Sequence, residues 1–242
     1  MITFSKLGQM GRISNQLFQC SAAIALALRN NDKYVFPPWQ HEKDFNLHNC
    51  FSDNILIENT HKEKSFGYTP IEYKPNMSLE GFYQSSKYFE DFKDVILSKF
   101  TPKETFGMLE DTTACHVRRG DYIGNNAYEQ LGMNYYNRAM DMIKSKYYYV
   151  FSDDIPWCKQ NFKGNNITFI EGTSAVQDLS LMSSCTNLIM ANSSFSFWGG
   201  FLNKNPDKII AAPSRWFGAA LSHHNTKDLY LSEWQIVDTR SN

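Results

Sequence analysis

From residue 113 onward, short apolar runs alternate with segments whose apolar positions recur at helical spacing. Short connections separate the two kinds of segment. Strands that alternate with helices in this way predict a parallel sheet covered on both faces. The predicted strands are 113–117, 147–151, 167–170, 187–190 and 208–212, and the predicted helices are 135–146, 155–161, 176–184 and 194–203.

The start of the chain predicts a strand at 2–4, a glycine turn at 8–14, a helix and a strand at 34–36. Ser14 or Asn15 is well placed to cap the helix. A helix N-terminus after a glycine turn favours an anionic ligand, and a plain helix cap is the alternative. Residues 37–80 show little periodicity and predict loops with short elements. The apolar positions at helical spacing are Leu17, Phe18, Ile24, Ala25 and Leu28.

Polar residues follow four of the predicted strands, and ligands bind at the carboxyl ends of the strands in such a sheet. The order of the chain therefore predicts one site at that edge of the sheet. The four segments are Arg118-Arg119, Ser152-Asp153-Asp154, Glu171-Gly172-Thr173 and Asn192-Ser193-Ser194.

The adjacent arginines form the strongest chemical signal in the chain. Arg118 and Arg119 follow an apolar strand and enter a glycine turn. Each guanidinium is always charged and presents a fork of donors that matches phosphate oxygens, so the pair predicts a diphosphate site. The alternative is a surface pair that bonds nearby carboxylates.

A predicted helix start supplies neutral phosphate donors. The hydroxyls of Ser193 and Ser194 and the backbone N–H of Phe195 open the helix and are candidates to wrap a phosphate. Helix capping is the alternative, and it employs one hydroxyl rather than both.

Metal binding is not expected from the carboxylates. The sequence has no Asp-x-Asp, and adjacent residues at a strand end point to different sides. One of Asp153 and Asp154 is therefore expected to face the ligand while the other caps the helix from Ile155.

Composition sets limits on partners and compartment. The 242 residues are 42% apolar, with a net charge of −1, so no bulk electrostatic attraction to nucleic acid or to an anionic membrane is expected. The five cysteines are odd in number and lack a C-x-x-C pair, which predicts reduced thiols. No signal peptide or apolar run of about 18 residues is visible, so a soluble, cytoplasmic chain is expected.

Three motifs give the chain a family resemblance: the glycine-rich Asn-Gln-Leu-Phe-Gln segment within 8–19, the His-x-Arg-Arg-Gly-Asp of 116–121, and the Ser-Ser-Phe-Ser-Phe-Trp of 193–198. In this order they resemble those of glycosyltransferase family 11, the alpha-1,2-fucosyltransferases. The resemblance implies an α/β fold of the GT-B type, with two Rossmann-like lobes that contain parallel sheets. The expected parts are an acceptor-side lobe at 1–109, a donor-binding lobe at 110–220 and a C-terminal tail at 221–242 that packs back on the first lobe.

The resemblance implies inverting transfer of L-fucose from GDP-beta-L-fucose to a hydroxyl of a glycan, O2 of a terminal galactose. The expected partners are GDP-fucose and an oligosaccharide acceptor, with no metal and no other cofactor. Two alternatives stay open. One is a transferase for another GDP-sugar, and the other is a nucleotide-diphosphate-binding protein without turnover.

The expected catalytic residues are Arg118, which neutralises the leaving diphosphate, and Asp121 as the candidate base. A turn carboxylate that only bonds the backbone is the alternative for Asp121. Relatives that share the arginine motif imply that His116 and one of Asp153 and Asp154 read guanine. A satisfied strand histidine is the alternative for His116.

The N-terminal loop carries a further resemblance. Arg12 and Asn15 are similar to a Gly-Arg-x-x-Asn-Gln arrangement in protein O-fucosyltransferases, where this loop approaches the donor. Ser14 stands where family 11 members usually have glycine, and the chain is short for the family. Relatives in animal secretory compartments carry a membrane anchor, so the resemblance favours a bacterial or viral type, with a trimmed membrane form as the alternative.

Overall fold

The computed structural model describes residues 1–240, which form two compact units. The first unit contains Met1–Lys103 and Asn225–Leu231, and the second contains Glu104–His224 and the described residues from 232 to 240. The predicted tail of 221–242 is therefore divided between the units, and residues 241 and 242 lie outside the described residues. The division arises because residues 235–237 add a strand to the sheet of the second unit.

The first unit contains a three-stranded parallel sheet in the order β1-β3-β2. The predicted strand at 34–36 is reduced to isolated bridges of Tyr34 and Phe36. Two of the short elements expected within 37–80 are strands, and β2 is an edge strand of polar sequence that no periodicity could reveal. The elements are β1 Ile2–Thr3, α1 Ile13–Arg29, β2 Asn59–Lys62, β3 Met77–Glu80 and α2 Lys93–Phe100, with single turns of 3-10 helix at Ser86–Tyr88 and Glu90–Phe92.

Helix α1 is more deeply buried than its amphipathic pattern predicts, with most of its positions shielded from solvent. Its N-cap residue is Arg12, which makes no side-chain capping bond. The prediction of Ser14 or Asn15 as the cap is wrong, because the backbone already turns helical at Ile13 and Ser14 is buried inside the helix.

The second unit contains a six-stranded parallel sheet in the order β6-β5-β4-β7-β8-β9, with β4 and β7 at its centre. All five strands and four helices predicted for this region are present within a few residues of their predicted bounds. The elements are β4 Leu109–Val117, α3 Met133–Ile143, β5 Tyr147–Ser152, α4 Ile155–Asn161, β6 Ile167–Phe169, α5 Ala175–Ser184, β7 Cys185–Ile189, α6 Ser194–Leu202, β8 Ile210–Pro213 and β9 Gln235–Val237, with 3-10 turns at Gly120–Tyr122 and Ala219–Leu221.

Two tyrosines of helix α3 form hydrogen bonds with the ends of the strands that carry the predicted site. The buried Tyr135 hydroxyl donates to the carbonyl oxygen of Met190 at 2.7 Å and to that of Ala211 at 3.2 Å. The neighbouring Tyr136 hydroxyl donates to the carbonyl oxygen of His116 at 3.3 Å. The carbonyl oxygen of Ala211 also accepts from the main-chain N–H of Met190 at 2.9 Å, so the tyrosine hydroxyls add bonds from α3 to strand ends that are already in place.

Helices α5 and α6 pack closely because Gly199 lies between them. A Cβ built at Gly199 would lie 2.3 Å from Sδ and 2.8 Å from Cγ of Met182, so a larger residue would force the Met182 side chain to move. Across the described residues, no helix is long and apolar enough to cross a membrane.

Candidate functional site

The carboxyl edge of the second unit's sheet brings most of the predicted site residues together. Strand β4 ends directly before Arg118 and Arg119, its neighbour β5 ends before Asp153 and Asp154, and its other neighbour β7 leads into α6. Because the strands are parallel, all three connections leave from the same edge. The prediction of a convergent edge is confirmed for these three segments.

Arg118 is held by two carboxylates and one aromatic ring. Its Nη1 lies 2.8 Å from Oδ2 of Asp153, and its Nη2 pairs with Oδ1 of Asp121. The guanidinium carbon lies 5.3 Å from the centre of the Tyr122 ring, a cation–π distance. Only 14% of the Arg118 side chain is exposed, so the guanidinium is fixed in direction rather than free in solvent.

Arg119 is fixed in a similar way on the other side of Asp153. Its main-chain N–H donates to Oδ1 of Asp153 at 2.8 Å, and its Nε lies 3.1 Å from Oδ2 of Asp154. The guanidinium carbon lies 4.0 Å from the centre of the Trp157 ring. The alternative raised from the sequence, in which the arginines bond nearby carboxylates, thus describes the arrangement in this structure.

The two adjacent carboxylates have different tasks. Oδ1 of Asp154 accepts from the main-chain N–H of Trp157 at 3.1 Å and caps α4, so Asp154 is the capping residue of the pair. Asp153 instead lies between the arginines. A Cβ at Gly120 would lie 2.5 Å from Oδ2 of Asp153, so a side chain at this position would displace the carboxylate from Arg118.

His116 lies beneath this edge as the second-last residue of β4. Only 7% of it is exposed, its Nδ1 lies 2.5 Å from Oγ of Ser196, and its ring centre lies 5.5 Å from that of Phe195. Burial lowers the pKa of His116 to about 4, with Asp153 raising and Arg118 lowering it by smaller amounts. The ring is therefore neutral at physiological pH.

The start of α6 is capped by Ser193. Its Oγ accepts from the main-chain N–H of Phe195 at 3.3 Å, and the residue is buried, whereas Ser194 and Phe195 are half-buried. Helix capping therefore explains the Ser193 hydroxyl but not that of Ser194, in agreement with the alternative in which capping uses one hydroxyl.

Asn192 is a site residue that the sequence motif contains but to which we assigned no role. Its buried side-chain amide donates to the carbonyl oxygens of Glu129 at 2.9 Å and Trp216 at 2.8 Å, and its main-chain carbonyl accepts from the Tyr122 hydroxyl at 3.2 Å. Tyr122 also stacks on Tyr128 with ring centres 3.9 Å apart. Asn192 thus connects two loops to the start of α6. In the sequence, its position between a strand end and a helix cap was the signal that could have identified it as a site residue.

Arg12 and Asn15 belong to the first unit, where the glycine turn is held by amides of α1. Asn15 Oδ1 accepts from Nε2 of Gln84 at 2.6 Å, while Arg12 is exposed. Gln16 donates to the carbonyl oxygen of Gly11 at 2.9 Å, and Gln19 to those of Met10 and Gly81. The Asn-Gln-Leu-Phe-Gln motif therefore has a structural task in shaping the turn.

The predicted segment that begins at Glu171 lies apart from this set. Glu171, after β6, is exposed and pairs with Nζ of Lys159 at 2.6 Å. The rings of the adjacent His223 and His224 are tilted by 45°, with centres 4.4 Å apart. Within residues 1–240, no cluster of three or more His, Cys, Asp or Glu side chains is arranged to hold a metal ion.

Comparison with protein families identifies the family. The family model described as "Glycosyl transferase family 11" matches residues 6–238. The chain belongs to glycosyltransferase family 11.

Two relatives show the range of family 11 proteins that resemble the chain. An alpha-1,2-colitosyltransferase of Escherichia coli is 30% identical, over 86% of this chain and 90% of the relative. A galactoside alpha-(1,2)-fucosyltransferase 1 of Bos taurus is 26% identical, over 93% and 73% of the two chains.

A solved structure confirms the expected fold. The crystal structure of POFUT1 in complex with GDP superposes with a TM-score of 0.51 at 13% identity, over 86% of this chain and 96% of the other. Together with the two parallel sheets covered by helices, this likeness confirms the GT-B-type α/β fold.

Burial of His116 predicts acid sensitivity. The unfolded chain binds a proton at His116 below pH 6.5, whereas the folded chain does so only near pH 4. The unfolded state therefore binds more protons in this window, and stability is lost as the pH falls, by up to about 3 kcal/mol. Chemical denaturation across the window should show that His116→Asn lacks this loss.

The control for this measurement is His48→Gln, which replaces an exposed histidine of the first unit. It should follow the wild-type pH dependence. An equal loss of stability in wild type and His116→Asn would show that His116 does not titrate as its burial requires.

Proposed function

We propose that the chain catalyses inverting transfer of L-fucose from GDP-beta-L-fucose to O2 of a terminal galactose on a glycan. The observation that carries the proposal is the pair of guanidiniums fixed at the end of β4, beside the start of α6. Fixed donors at such a strand end suit the leaving diphosphate of a nucleotide sugar. The relatives named for alpha-1,2-colitosyl and galactoside alpha-(1,2)-fucosyl transfer support the same chemistry.

Arg118 and Arg119 neutralise the charge that develops as the sugar–phosphate bond breaks. Donors that are already oriented cost little reorganisation in the transition state, and each is worth roughly 3 kcal/mol in comparable sites. Arg118 is the catalytic member of the pair in this proposal, and the start of α6, with Ser193, Ser194 and Phe195, supplies neutral phosphate donors.

The charges around the arginines indicate which ion pair the nucleotide-sugar donor displaces when it binds. The two guanidiniums face the carboxylates of Asp121, Asp153 and Asp154, so the cluster holds one more negative than positive charge. The Asp121 side chain is 59% exposed, against 26% for Asp153. Exposed ion pairs are weak, so an arriving diphosphate exchanges with Asp121 at Arg118 and leaves Asp153 in place.

This exchange gives Asp121 its proposed role as the base. Once released from Arg118, the carboxylate accepts the proton of the acceptor hydroxyl. The hydroxyl oxygen bonds to the anomeric carbon from the face opposite GDP, and the electrons of the broken bond leave with the diphosphate. The beta linkage of the donor thereby becomes an alpha linkage in the product.

The guanine is read in this proposal by His116 and Asp154. Guanine offers N1–H and a 2-amino group, which a carboxylate accepts together. We assign this carboxylate to Asp154 because Asp153 uses its two oxygens to hold Arg118 and the turn at Arg119. Oδ1 of Asp154 stays as the helix cap, and its Oδ2 exchanges the 3.1 Å contact with Nε of Arg119 for guanine. Arg12 and Asn15 keep the donor-contact role that the family resemblance implies, and that role stays a prediction.

Transfer of another GDP-linked sugar is the second candidate. The observation that favours it is the Escherichia coli relative, whose name specifies colitose and which matches 86% of this chain. A binding protein without turnover would keep the arginine cluster but release no sugar.

A donor-turnover assay tests the proposal. The protein is incubated with a terminal galactoside and with GDP-fucose, GDP-colitose or GDP-mannose, and released GDP and product linkage are measured. We expect an alpha-1,2-fucosyl product and no turnover of GDP-mannose. Turnover of GDP-colitose alone would establish the second candidate, and absence of sugar release from every donor would contradict an enzymatic role.

The same assay tests whether a metal takes part. We propose metal-independent catalysis, because the two arginines supply the neutralising charge and Asp153 and Asp154 are already paired with them. Activity should therefore survive excess EDTA. Loss of activity that one divalent cation restores would contradict this part of the proposal.

Substitution of Arg118 tests the leaving-group assignment. Arg118→Ala should lower kcat by two orders of magnitude or more, on the scale of roughly 3 kcal/mol for a lost transition-state donor. Arg118→Lys should recover only part of the rate, since a point charge lacks the planar fork. The control is Arg138→Ala, whose exposed guanidinium binds the carbonyl oxygens of Asp238 and Arg240. Wild-type kcat in Arg118→Ala would reject the assignment.

Asparagine substitutions separate the two adjacent carboxylates. Asp154→Asn keeps a capping side chain but should weaken GDP binding tenfold or more, because a charge-assisted bond is worth about 1.5–3 kcal/mol. Its affinity for pyrophosphate should barely change. Asp153→Asn should weaken the binding of both GDP and pyrophosphate, because it releases the Arg118 guanidinium from its fixed direction. Calorimetry measures both affinities, and an unchanged GDP affinity in both variants would mean that guanine is read elsewhere.

A further inference from the structure

Ser196 occupies a buried position between two strand ends. It lies in the first turn of α6 and is fully shielded from solvent. Its Oγ accepts from the main-chain N–H of Ala191, which follows β7, at 3.0 Å. The same Oγ lies 2.5 Å from Nδ1 of His116, on β4. One hydroxyl thus connects the neighbouring strands at the edge that carries the candidate site.

The number of hydrogens available determines which of Ser196 Oγ and His116 Nδ1 is the hydrogen-bond donor. A serine hydroxyl has one proton to donate and two lone pairs, and the Ala191 N–H occupies one of these lone pairs. Within residues 1–240, Nδ1 of His116 is the acceptor available to the Ser196 proton. If Nδ1 carried a proton instead, the buried hydroxyl hydrogen would have no acceptor, which is costly in a protein interior. Ser196 therefore donates and Nδ1 accepts.

The direction of that hydrogen bond determines the protonation of the other ring nitrogen, Nε2. A neutral imidazole carries one proton, so a ring whose Nδ1 accepts must carry its proton at Nε2. Burial favours the neutral form of His116. In the described part of the chain, the ring's hydrogen-bonding contact is at Nδ1, which leaves the Nε2–H to serve a ligand.

We propose that Ser196 is a positioning residue that holds His116 in the Nε2–H tautomer, so that the histidine reads the acceptor edge of guanine as a hydrogen-bond donor. The inference deepens the proposed function and rests on it for the identity of the ligand. Guanine presents the acceptors O6 and N7 on one edge, whereas adenine presents an amino donor in place of O6. A donor at Nε2 and the carboxylate of Asp154 would together match guanine and disfavour adenine.

The tautomer is tested without any ligand. The protein is labelled with 15N-histidine, and long-range proton–nitrogen correlation spectra distinguish a protonated ring nitrogen from an accepting one. The wild type should show a protonated Nε2 and an accepting Nδ1 at His116. A protonated Nδ1, or a charged ring at neutral pH, would overturn the proposal. This measurement is independent of whether the chain uses GDP, so its failure is distinct from failure of the proposed function.

Variants of Ser196 test the positioning role. Ser196→Ala should give a mixed or reversed tautomer and lower the affinities for GDP and for inosine diphosphate by about three- to tenfold, the scale of one net hydrogen bond. Affinity for pyrophosphate should be unchanged, since it has no base. Ser196→Thr, which keeps a hydroxyl, should restore the tautomer and the affinities.

The matched control is Ser180→Ala, another buried helical serine of the same unit, whose hydroxyl donates to the carbonyl oxygen of Glu104 at 2.7 Å. It should leave the His116 spectrum and GDP affinity as in the wild type. An unchanged tautomer in Ser196→Ala would overturn the positioning role. An equal loss of pyrophosphate affinity in that variant would overturn the assignment of the Nε2–H to the base.

Discussion

The candidate site depends on the carboxylate of Asp153. One of its oxygens binds the Arg118 guanidinium and the other binds the main-chain N–H of Arg119. A single side chain directly after β5 therefore sets both the direction of an arginine and the course of the turn after β4. Two guanidiniums on adjacent residues repel each other, and the carboxylates of Asp153 at Arg118 and Asp154 at Arg119 offset that repulsion. Gly120 allows the carboxylate to approach, because a Cβ there would lie 2.5 Å from its Oδ2.

The rest of the edge is arranged around this contact. Tyr122 and Trp157 lie under the two guanidiniums as aromatic surfaces, and Asp154 anchors Arg119 while it caps α4. The Tyr136 hydroxyl, from α3, holds the carbonyl of the strand end that presents the arginines. The site is thus oriented before a ligand arrives, which reduces the reorganisation that electrostatic catalysis would otherwise require.

Much of the second unit could be predicted from sequence because its strands are short apolar runs between amphipathic helices. Helix α4 has its predicted bounds, since Asp154 and Pro156 mark its start clearly. Strands β2 and β9 could not be predicted, because Asn59–Lys62 is polar and Gln235–Val237 is short, and both are strands only through tertiary pairing. The cap at Arg12 also escaped prediction, because it uses no side-chain hydrogen bond.

For the site, sequence order predicted which strand ends converge, since parallel strands place their carboxyl ends on one edge. It could not tell which of two adjacent carboxylates caps a helix, because that depends on which one reaches the N–H of Trp157. It also gave no role to Asn192 or Ser196, whose partners are main-chain atoms and a ring on distant segments. Short polar side chains of this kind show their task only when the neighbouring strands are in place.

A crystal structure of the protein with GDP tests the central claim most directly, because it locates both the diphosphate and the base. The account predicts phosphate oxygens on the Arg118 and Arg119 guanidiniums, with Asp121 moved away from Arg118 and Asp153 still bound to it. It also predicts guanine against His116 and Asp154. A diphosphate bound away from both arginines, or an Arg118–Asp121 pair that stays intact beneath the bound nucleotide, would contradict it.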